Sequence, residues 1–209
     1  MLKLPAAANN AATINDIKAF LDKHDGWPKR EAMLKRAEET MPAQMSAAEV
    51  MAWFDRMGGP VSTSGRVRKA EAQMKLGLKD VALQSIRDIW ITGNFTKSQE
   101  KRYFRTYRKT ITADDNKARL ERLIWQERYW PARRQIWKVD AKTRKLAIAR
   151  LWLMKREGNV DKAIADLDKA APELSDHPGL IYERMRWRRR KGRTADAADM
   201  LKDLSGDLE

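Results

Sequence analysis

The chain has 209 residues, enough for one elongated repeat domain or two small globular domains. It carries 43 Lys and Arg residues against 29 Asp and Glu, which gives a formal net charge of +14 and a pI of about 10.1. This charge predicts attraction to polyanions: nucleic acid, anionic lipid surfaces or the acidic polymers of a bacterial envelope. The lack of cysteine excludes disulfides and thiolate sites. No apolar run approaches the roughly 20 residues of a membrane span.

The N-terminal half begins with a leader and continues as helices separated by Gly and Pro. Residues 1–12 lack the apolar core of a signal peptide, so we interpret them as a flexible leader left after removal of a targeting segment. Apolar residues at helical spacing predict helices at about 13–24 and 28–41. Ser46 and Glu49 have the spacing of a capping box, which predicts a third helix that ends near Gly58.

Three predicted helical hairpins share one pattern, and each turns at a glycine. After Gly77, Gly158 and Gly192, the fifth and sixth residues are Ala and an apolar residue, and the ninth is Leu or Ile. These residues are Ala82, Leu83 and Ile86, then Ala163, Ile164 and Leu167, then Ala197, Ala198 and Leu201. Small side chains there let two antiparallel helices approach closely. Gly158 and Gly192 are 34 residues apart, the period of tetratricopeptide-type hairpins, but Gly77 lies 81 residues before Gly158.

The remaining segments are also helical in pattern, at about 96–110, from Thr112 with Leu120, Leu123 and Ile124 inward, and at about 131–139. We find no alternating strand pattern anywhere in the chain. The sequence therefore predicts an all-α fold, an irregular α-solenoid or superhelix of antiparallel, tetratricopeptide-like helix hairpins with about 11–12 helices. We expect residues 13–209 to form one superhelical domain.

The sequence offers no catalytic, cofactor-binding or metal-binding motif. There is no HExxH pair, no Gly-rich phosphate loop and no nucleophile elbow, and His24 and His177 each lie beside a turn. Glu71, Glu121 and Glu183 fall within helices near Arg or Lys, so we interpret them as paired or solvated surface charges. We assign no catalytic residue, no cofactor and no metal.

Basic residues interleaved with aromatic residues are the main candidates for binding. The segment 101–109 has this composition, and 186–191 has it more densely, with Arg186, Arg188, Arg189 and Arg190 as the candidate binding residues. Such segments can neutralise phosphate while their rings stack on bases. Their spacing also fits a helix face, and we favour the interpretation that the rings pack in the seam between helices while the cations face solvent; these rings are Tyr103, Phe104, Tyr107 and Trp187.

The eight tryptophans are mostly expected in the core, because most of them fall on apolar stripes. One or two exposed tryptophans would be enough to stack on sugar rings. Trp130 is the first candidate for such contact, because it flanks a turn rather than the centre of a helix.

Four segments together resemble the superhelical domain of soluble lytic transglycosylases. They occur in the order of that family and cover most of residues 17–193. The four are FLDKHDGWP at 20–28, GRVRKAE at 65–71 followed by Leu76-Gly77, KARLERLIW at 117–125, and DHPGLIYERMRWRR at 176–189.

The resemblance implies a periplasmic peptidoglycan enzyme. Members of the family cleave between N-acetylmuramic acid and N-acetylglucosamine with one glutamate, in a goose-lysozyme-like domain that follows the superhelix. This chain ends at Glu209 without a Glu-Ser segment of the catalytic type, so no catalytic residue is transferred to it. We therefore expect the non-catalytic helical arm of such an enzyme, with peptidoglycan or another anionic envelope polymer as its partner.

Two further expectations follow from the sequence. The alternative function is a helical-repeat adaptor that binds RNA or another protein through a basic face. The last predicted helix, 194–208, carries Ala197, Ala198, Met200, Leu201 and Leu204, and we expect one of its faces to form a dimer contact.

Overall fold

The computed structural model describes residues 14–24, 26–155 and 158–206, with side chains through residue 200. Within these residues all regular secondary structure is helical, so the predicted all-α class and number of helices are confirmed. The predicted leader 1–12 lies outside the described residues. The α-helices in chain order are α1 (Ile14–Lys23), α2 (Arg30–Glu39), α3 (Ala47–Met57), α4 (Thr63–Lys75), α5 (Lys79–Thr92), α6 (Lys97–Tyr107), α7 (Ala113–Trp125), α8 (Tyr129–Gln135), α9 (Ala141–Lys155), α10 (Val160–Ala170), α11 (Pro178–Arg190) and α12 (Thr194–Gly206). Two short 3-10 helices, Ile136–Lys138 and Pro172–Leu174, follow α8 and α10.

The chain forms two compact units, Met1–Thr110 and Ile111–Glu209, where the sequence analysis expects one domain over 13–209. The first unit contains α1–α6, and the second contains α7–α12. Each unit has its own buried apolar core.

In the first unit, a buried carboxylate organises the start of α4. Glu38 accepts hydrogen bonds from the backbone N–H groups of Val61 (2.7 Å) and Ser62 (2.6 Å), next to the first turn of α4. Its carboxylate lies so close to Gly65 that a Cβ at this position would collide with it. This contact explains the glycine in the GRVRKAE segment. The predicted capping box of Ser46 and Glu49 is confirmed at the start of α3.

The three predicted glycine turns are confirmed. Gly77, Gly158 and Gly192 have φ of 82°, 73° and 77°, in the left-handed region that glycine adopts at little cost. The small residues five positions later are buried between the paired helices, as the pattern predicts; they are Ala82, Ala163 and Ala197.

A fourth hairpin, α7–α8, has the same turn without a glycine. Glu127 takes the glycine position with φ of 54°. Its neighbours make the same backbone hydrogen bonds as those around Gly77: Arg128 N–H to Leu123 O and Tyr129 N–H to Glu127 O. Ala132, five residues after Glu127, is fully buried, as the repeat pattern requires. This copy does not show the sequence pattern of the other three, because a glutamate replaces the glycine at its turn.

In the second unit, successive hairpins bury two adjoining apolar clusters. One lies among α7, α8 and α9, and the other lies among α9, α10 and α11. Opposite faces of α9 supply both clusters, with Leu151 in the first and Leu153 in the second. The helix α12 packs on α11. Its Ala197 is buried and its Ala198 is exposed, whereas the side chains of Leu201 and Leu204 lie outside the described residues.

Candidate functional site

Two exposed tryptophans mark one side of the α8 segment. Trp130 is 63% exposed and Trp137 is 69% exposed, although both are large apolar side chains. They are seven residues apart, with the exposed Arg133 between them, so the three share one side of this helical segment. Ala132 and Gln135 lie on the other side and are fully buried. We call Trp130, Arg133 and Trp137, together with Arg144, the tryptophan–arginine surface.

The arginines of this surface stack against its rings. The guanidinium of Arg133 lies 5.8 Å from the ring centroid of Trp130, and that of Arg144 lies 5.0 Å from the ring centroid of Trp137. These are cation–π distances. Arg144 also donates hydrogen bonds to the backbone carbonyls of Ile136 (3.1 Å) and Val139 (3.3 Å). It therefore ties the segment that carries Trp137 to the start of α9.

Buried contacts fix the orientation of α8 beneath this surface. The side-chain amide of Gln135 donates to Asn116 on α7, at 2.9 Å to Oδ1 and 3.2 Å to the backbone carbonyl. The buried ring of Tyr129 meets the edge of Trp130 at 5.2 Å between centroids. Because the inner side of α8 is held in this way, the tryptophans on its outer side are presented by a fixed backbone.

The four candidate arginines of α11 do not form one binding face. Arg186 is mostly buried and forms an ion pair with Glu127 at 2.5 Å, and Arg190 donates to the carbonyl of Met154 at 3.3 Å. Arg188 lies on another side of α11, against Met200 of α12. Arg189 is the exposed member of the set. The hydrogen bond from Arg186 lowers the pKa of the Glu127 carboxyl.

The aromatic residues of segment 101–109 pack inside the first unit. The ring of Tyr103 stacks on Trp90 at 6.2 Å and contacts Phe95 at 5.0 Å between centroids, and its hydroxyl donates to the carbonyl of Ile86 at 2.9 Å. Burial raises the pKa of Tyr107 to about 12. Of the two interpretations given to this segment, the one with Tyr103 in the seam is confirmed.

A buried charged cluster lies among α7, α9 and α11. Arg150 on α9 is buried, and its Nη1 donates to both carboxylate oxygens of Glu121 at 2.8 and 2.6 Å. Its guanidinium lies against Gly179, where a Cβ would collide with it. Glu183 pairs with Arg186 at 4.0 Å, as expected, but the expectation of a surface position is wrong, because Glu183 is buried and its Oε2 has no hydrogen-bond partner among the described residues. Burial raises the pKa of this carboxyl.

The histidines have local structural contacts. The Nδ1 of His177 accepts from the backbone N–H of Gly179 at 3.1 Å and caps α11, while burial lowers its pKa. The ring of His24 packs on Phe20 at 4.6 Å between centroids. Across the residues that the structure describes, no three His, Asp or Glu side chains gather where they could hold a metal ion.

None of the described helices is both long and apolar enough to cross a membrane.

Comparison with protein-family models, curated proteins and solved structures gives no match to this chain. The four sequence segments given above are therefore the basis of the family resemblance. Sequence reasoning selected Trp130 but missed Trp137 and Glu127. The available signal was the two-turn spacing from Trp130 to Trp137, together with an Ala five residues after Glu127 as in the glycine hairpins.

Proposed function

We propose that this chain is the non-catalytic superhelical arm of a periplasmic lytic transglycosylase, and that it binds peptidoglycan glycan strands through the tryptophan–arginine surface. The observation that carries the proposal is the exposure of Trp130 and Trp137 on one side of one segment. A tryptophan whose only role was to fill the core would be buried, whereas these two rings are accessible to a ligand.

The chemistry of a glycan strand suits this surface. The C–H faces of pyranose rings stack on indole, and seven helical residues advance about 11 Å, on the scale of two sugar rings. The stem peptides of peptidoglycan carry anionic carboxylates, so Arg133 and Arg144 beside the rings can attract them. The net charge of +14 favours the approach of such a polymer over long distances.

Cosedimentation with purified sacculi tests the proposal. We expect wild-type protein to bind at low salt and the double variant Trp130→Ala/Trp137→Ala to bind about tenfold more weakly, the scale of two lost stacking contacts. Trp27→Ala is the matched control, since it removes an exposed tryptophan from the first unit. If the control and the double variant lose binding to sacculi equally, the binding is non-specific adhesion, which would contradict the proposal.

RNA is the competing ligand in the same experiment. Tryptophan and arginine side chains also stack on bases, and a basic protein attracts phosphate. Tight binding of single-stranded RNA at physiological salt, without binding to sacculi, would replace the glycan proposal with the adaptor function.

The periplasmic location is part of the proposal and has its own test. We expect an immunoblot of fractionated source cells to find the protein in the periplasmic fraction, in a band far larger than 24.2 kDa. A cytoplasmic band at 24.2 kDa would favour the adaptor function.

A further inference from the structure

A groove lies between the last two helices of the second unit. It has a volume of about 300 Å³ and is lined by Tyr182, Met185, Arg186, Arg189, Thr194, Ala197 and Ala198. The size suits an aromatic side chain with part of its backbone. The lining is mainly apolar, and Tyr182 at one end is exposed and packs on Trp125 of α7 at 5.3 Å between centroids.

The preceding hairpin fills the equivalent space with its own side chain. With Gly158 and Gly192 as the matching turns, Trp152 corresponds to Arg186 and Ile164 corresponds to Ala198. The indole of Trp152 packs against the core of its hairpin and lies over Gly158, where a Cβ would collide with it. At Gly192 a Cβ would meet nothing within 4 Å. The α11–α12 hairpin therefore has no aromatic ring in the position that Trp152 occupies in the α9–α10 hairpin.

The side chain that replaces this ring points elsewhere. Arg186 forms an ion pair with Glu127 in the α7–α8 turn, so it does not fill the groove. Arg189 lies two helical turns from Tyr182 along the groove and is exposed, and it has no ion-pair partner among the described residues. Among the residues whose side chains the structure describes, no acidic residue lines the groove. The groove therefore combines the positive charge of Arg189 with an apolar lining.

We propose that this groove docks a segment of a partner protein that presents an aromatic side chain next to a carboxylate. The aromatic ring takes the position that Trp152 occupies in the preceding hairpin, on Met185, Ala197 and Ala198. The carboxylate pairs with Arg189. The partner is a protein segment and not the glycan, so this groove is a second binding site that does not depend on the tryptophan–arginine surface.

Methyl NMR of the full chain, labelled at Met and Ala methyl groups, tests this docking site directly. The probe is a short acetylated and amidated Gly-Ser peptide with a central Trp-Glu pair. Two matched peptides replace the Trp with Ala or the Glu with Lys. We expect the Trp-Glu peptide to shift the methyl signals of Met185, Ala197 and Ala198, and the matched peptides to bind more weakly.

Two variants and one control variant separate specific docking from general charge attraction. Arg189→Glu is expected to weaken binding by about tenfold, the scale of one lost charge pair. Ala198→Ile restores the counterpart residue Ile164 and is expected to block the groove while thermal unfolding stays cooperative. Lys191→Glu makes the same charge change at an exposed residue outside the groove lining, and it should leave binding unchanged.

Three results would overturn the proposal. The first is that the Trp-Glu peptide leaves these methyl signals unmoved up to its solubility limit. The second is an equal loss of binding in Lys191→Glu and Arg189→Glu. The third is a shift of the same signals with protein concentration in the absence of peptide, since a second copy of this chain would then occupy the groove.

Discussion

The first and second units use aromatic residues in opposite ways. In the first unit, Trp90 is fully buried and packs with Tyr103 and Phe104. In the second unit, Trp130 and Trp137 lie in solvent beside arginine guanidinium groups. Both regions have arginines close to aromatic residues in the sequence, so this composition does not decide the role. The side of the helix on which the ring lies decides whether it stabilises the fold or remains available to a ligand.

The largest expected effect is on stability in the first unit. Trp90→Ala removes a fully buried indole, and we expect it to lower the free energy of unfolding by about 3–5 kcal/mol. Trp137→Ala removes an exposed indole and should cost no more than about 0.5 kcal/mol. Urea unfolding of the two variants measures both values. Similar losses would mean that the rings of the second unit are structural as well.

A buried carboxylate in the first unit provides the next prediction. In an ordinary helix Gly→Ala is stabilising, yet Gly65→Ala is expected to cost about 2 kcal/mol, because its Cβ displaces Glu38 from two backbone N–H groups. Ser64→Ala, one residue earlier, is the control and should be nearly neutral. In a Glu38→Ala background the second change Gly65→Ala should cost nothing more. A full additional loss would show that the collision is not with this carboxylate.

The non-glycine turn of the second unit is expected to give a smaller effect of opposite sign. Glu127 adopts φ of 54°, which costs an L-residue about 1 kcal/mol, and its partly exposed ion pair with Arg186 returns about 0.5 kcal/mol. Glu127→Gly should therefore raise the free energy of unfolding by roughly 0.5 kcal/mol. Gln126→Gly, with an ordinary φ of −85°, should lower it. If Glu127→Gly instead destabilises the protein, the ion pair with Arg186 contributes more to stability than the positive φ of Glu127 costs.

The buried Glu183 of the second unit predicts a pH dependence of stability. Burial raises the pKa of Glu183 above its ordinary value of 4.5, so the folded protein holds this proton more tightly than the unfolded chain. The stability that this protonated carboxyl contributes is fully present below the ordinary pKa and is lost as the pH rises through the raised pKa. Glu183→Gln should therefore stabilise the protein more at neutral pH than at about pH 4.

Glu173→Gln is the control for this pH dependence. Glu173 is exposed, and the hydrogen bond from Lys142 lowers its pKa, so the variant should not show the gain at neutral pH. Thermal unfolding at both pH values measures the difference. A gain from Glu183→Gln that does not change with pH would argue against ionisation of this carboxyl as the cause.

The sequence was a good guide wherever a local pattern determines the structure. The glycine turns at Gly77, Gly158 and Gly192 and the capping box at Ser46 depend on residues close in the chain, and they were predicted correctly. The turn at Glu127 left only a weak signal, the Ala five residues later, because tertiary contacts hold a non-glycine residue in a glycine conformation. The burial of Glu183 was also missed, since it depends on how α9 and α11 pack.

The candidate site was only partly predictable for a related reason. Trp130 was found because it flanks a turn, whereas Trp137 was missed because helical spacing alone does not tell which side of α8 faces the core. The buried Gln135, which bonds to Asn116 on α7, shows which side that is. This long-range contact carries no signal in a single sequence.

NMR of the tryptophan indole N–H groups, with the protein titrated by solubilised peptidoglycan glycan strands, tests the central claim most directly. Assignment by single substitutions separates the exposed Trp130 and Trp137 from the buried Trp53 and Trp90. Our account predicts that the signals of Trp130 and Trp137 shift together and saturate, while those of Trp53 and Trp90 stay in place. Unchanged signals from Trp130 and Trp137 at saturating glycan, or equal shifts in all four, would contradict it.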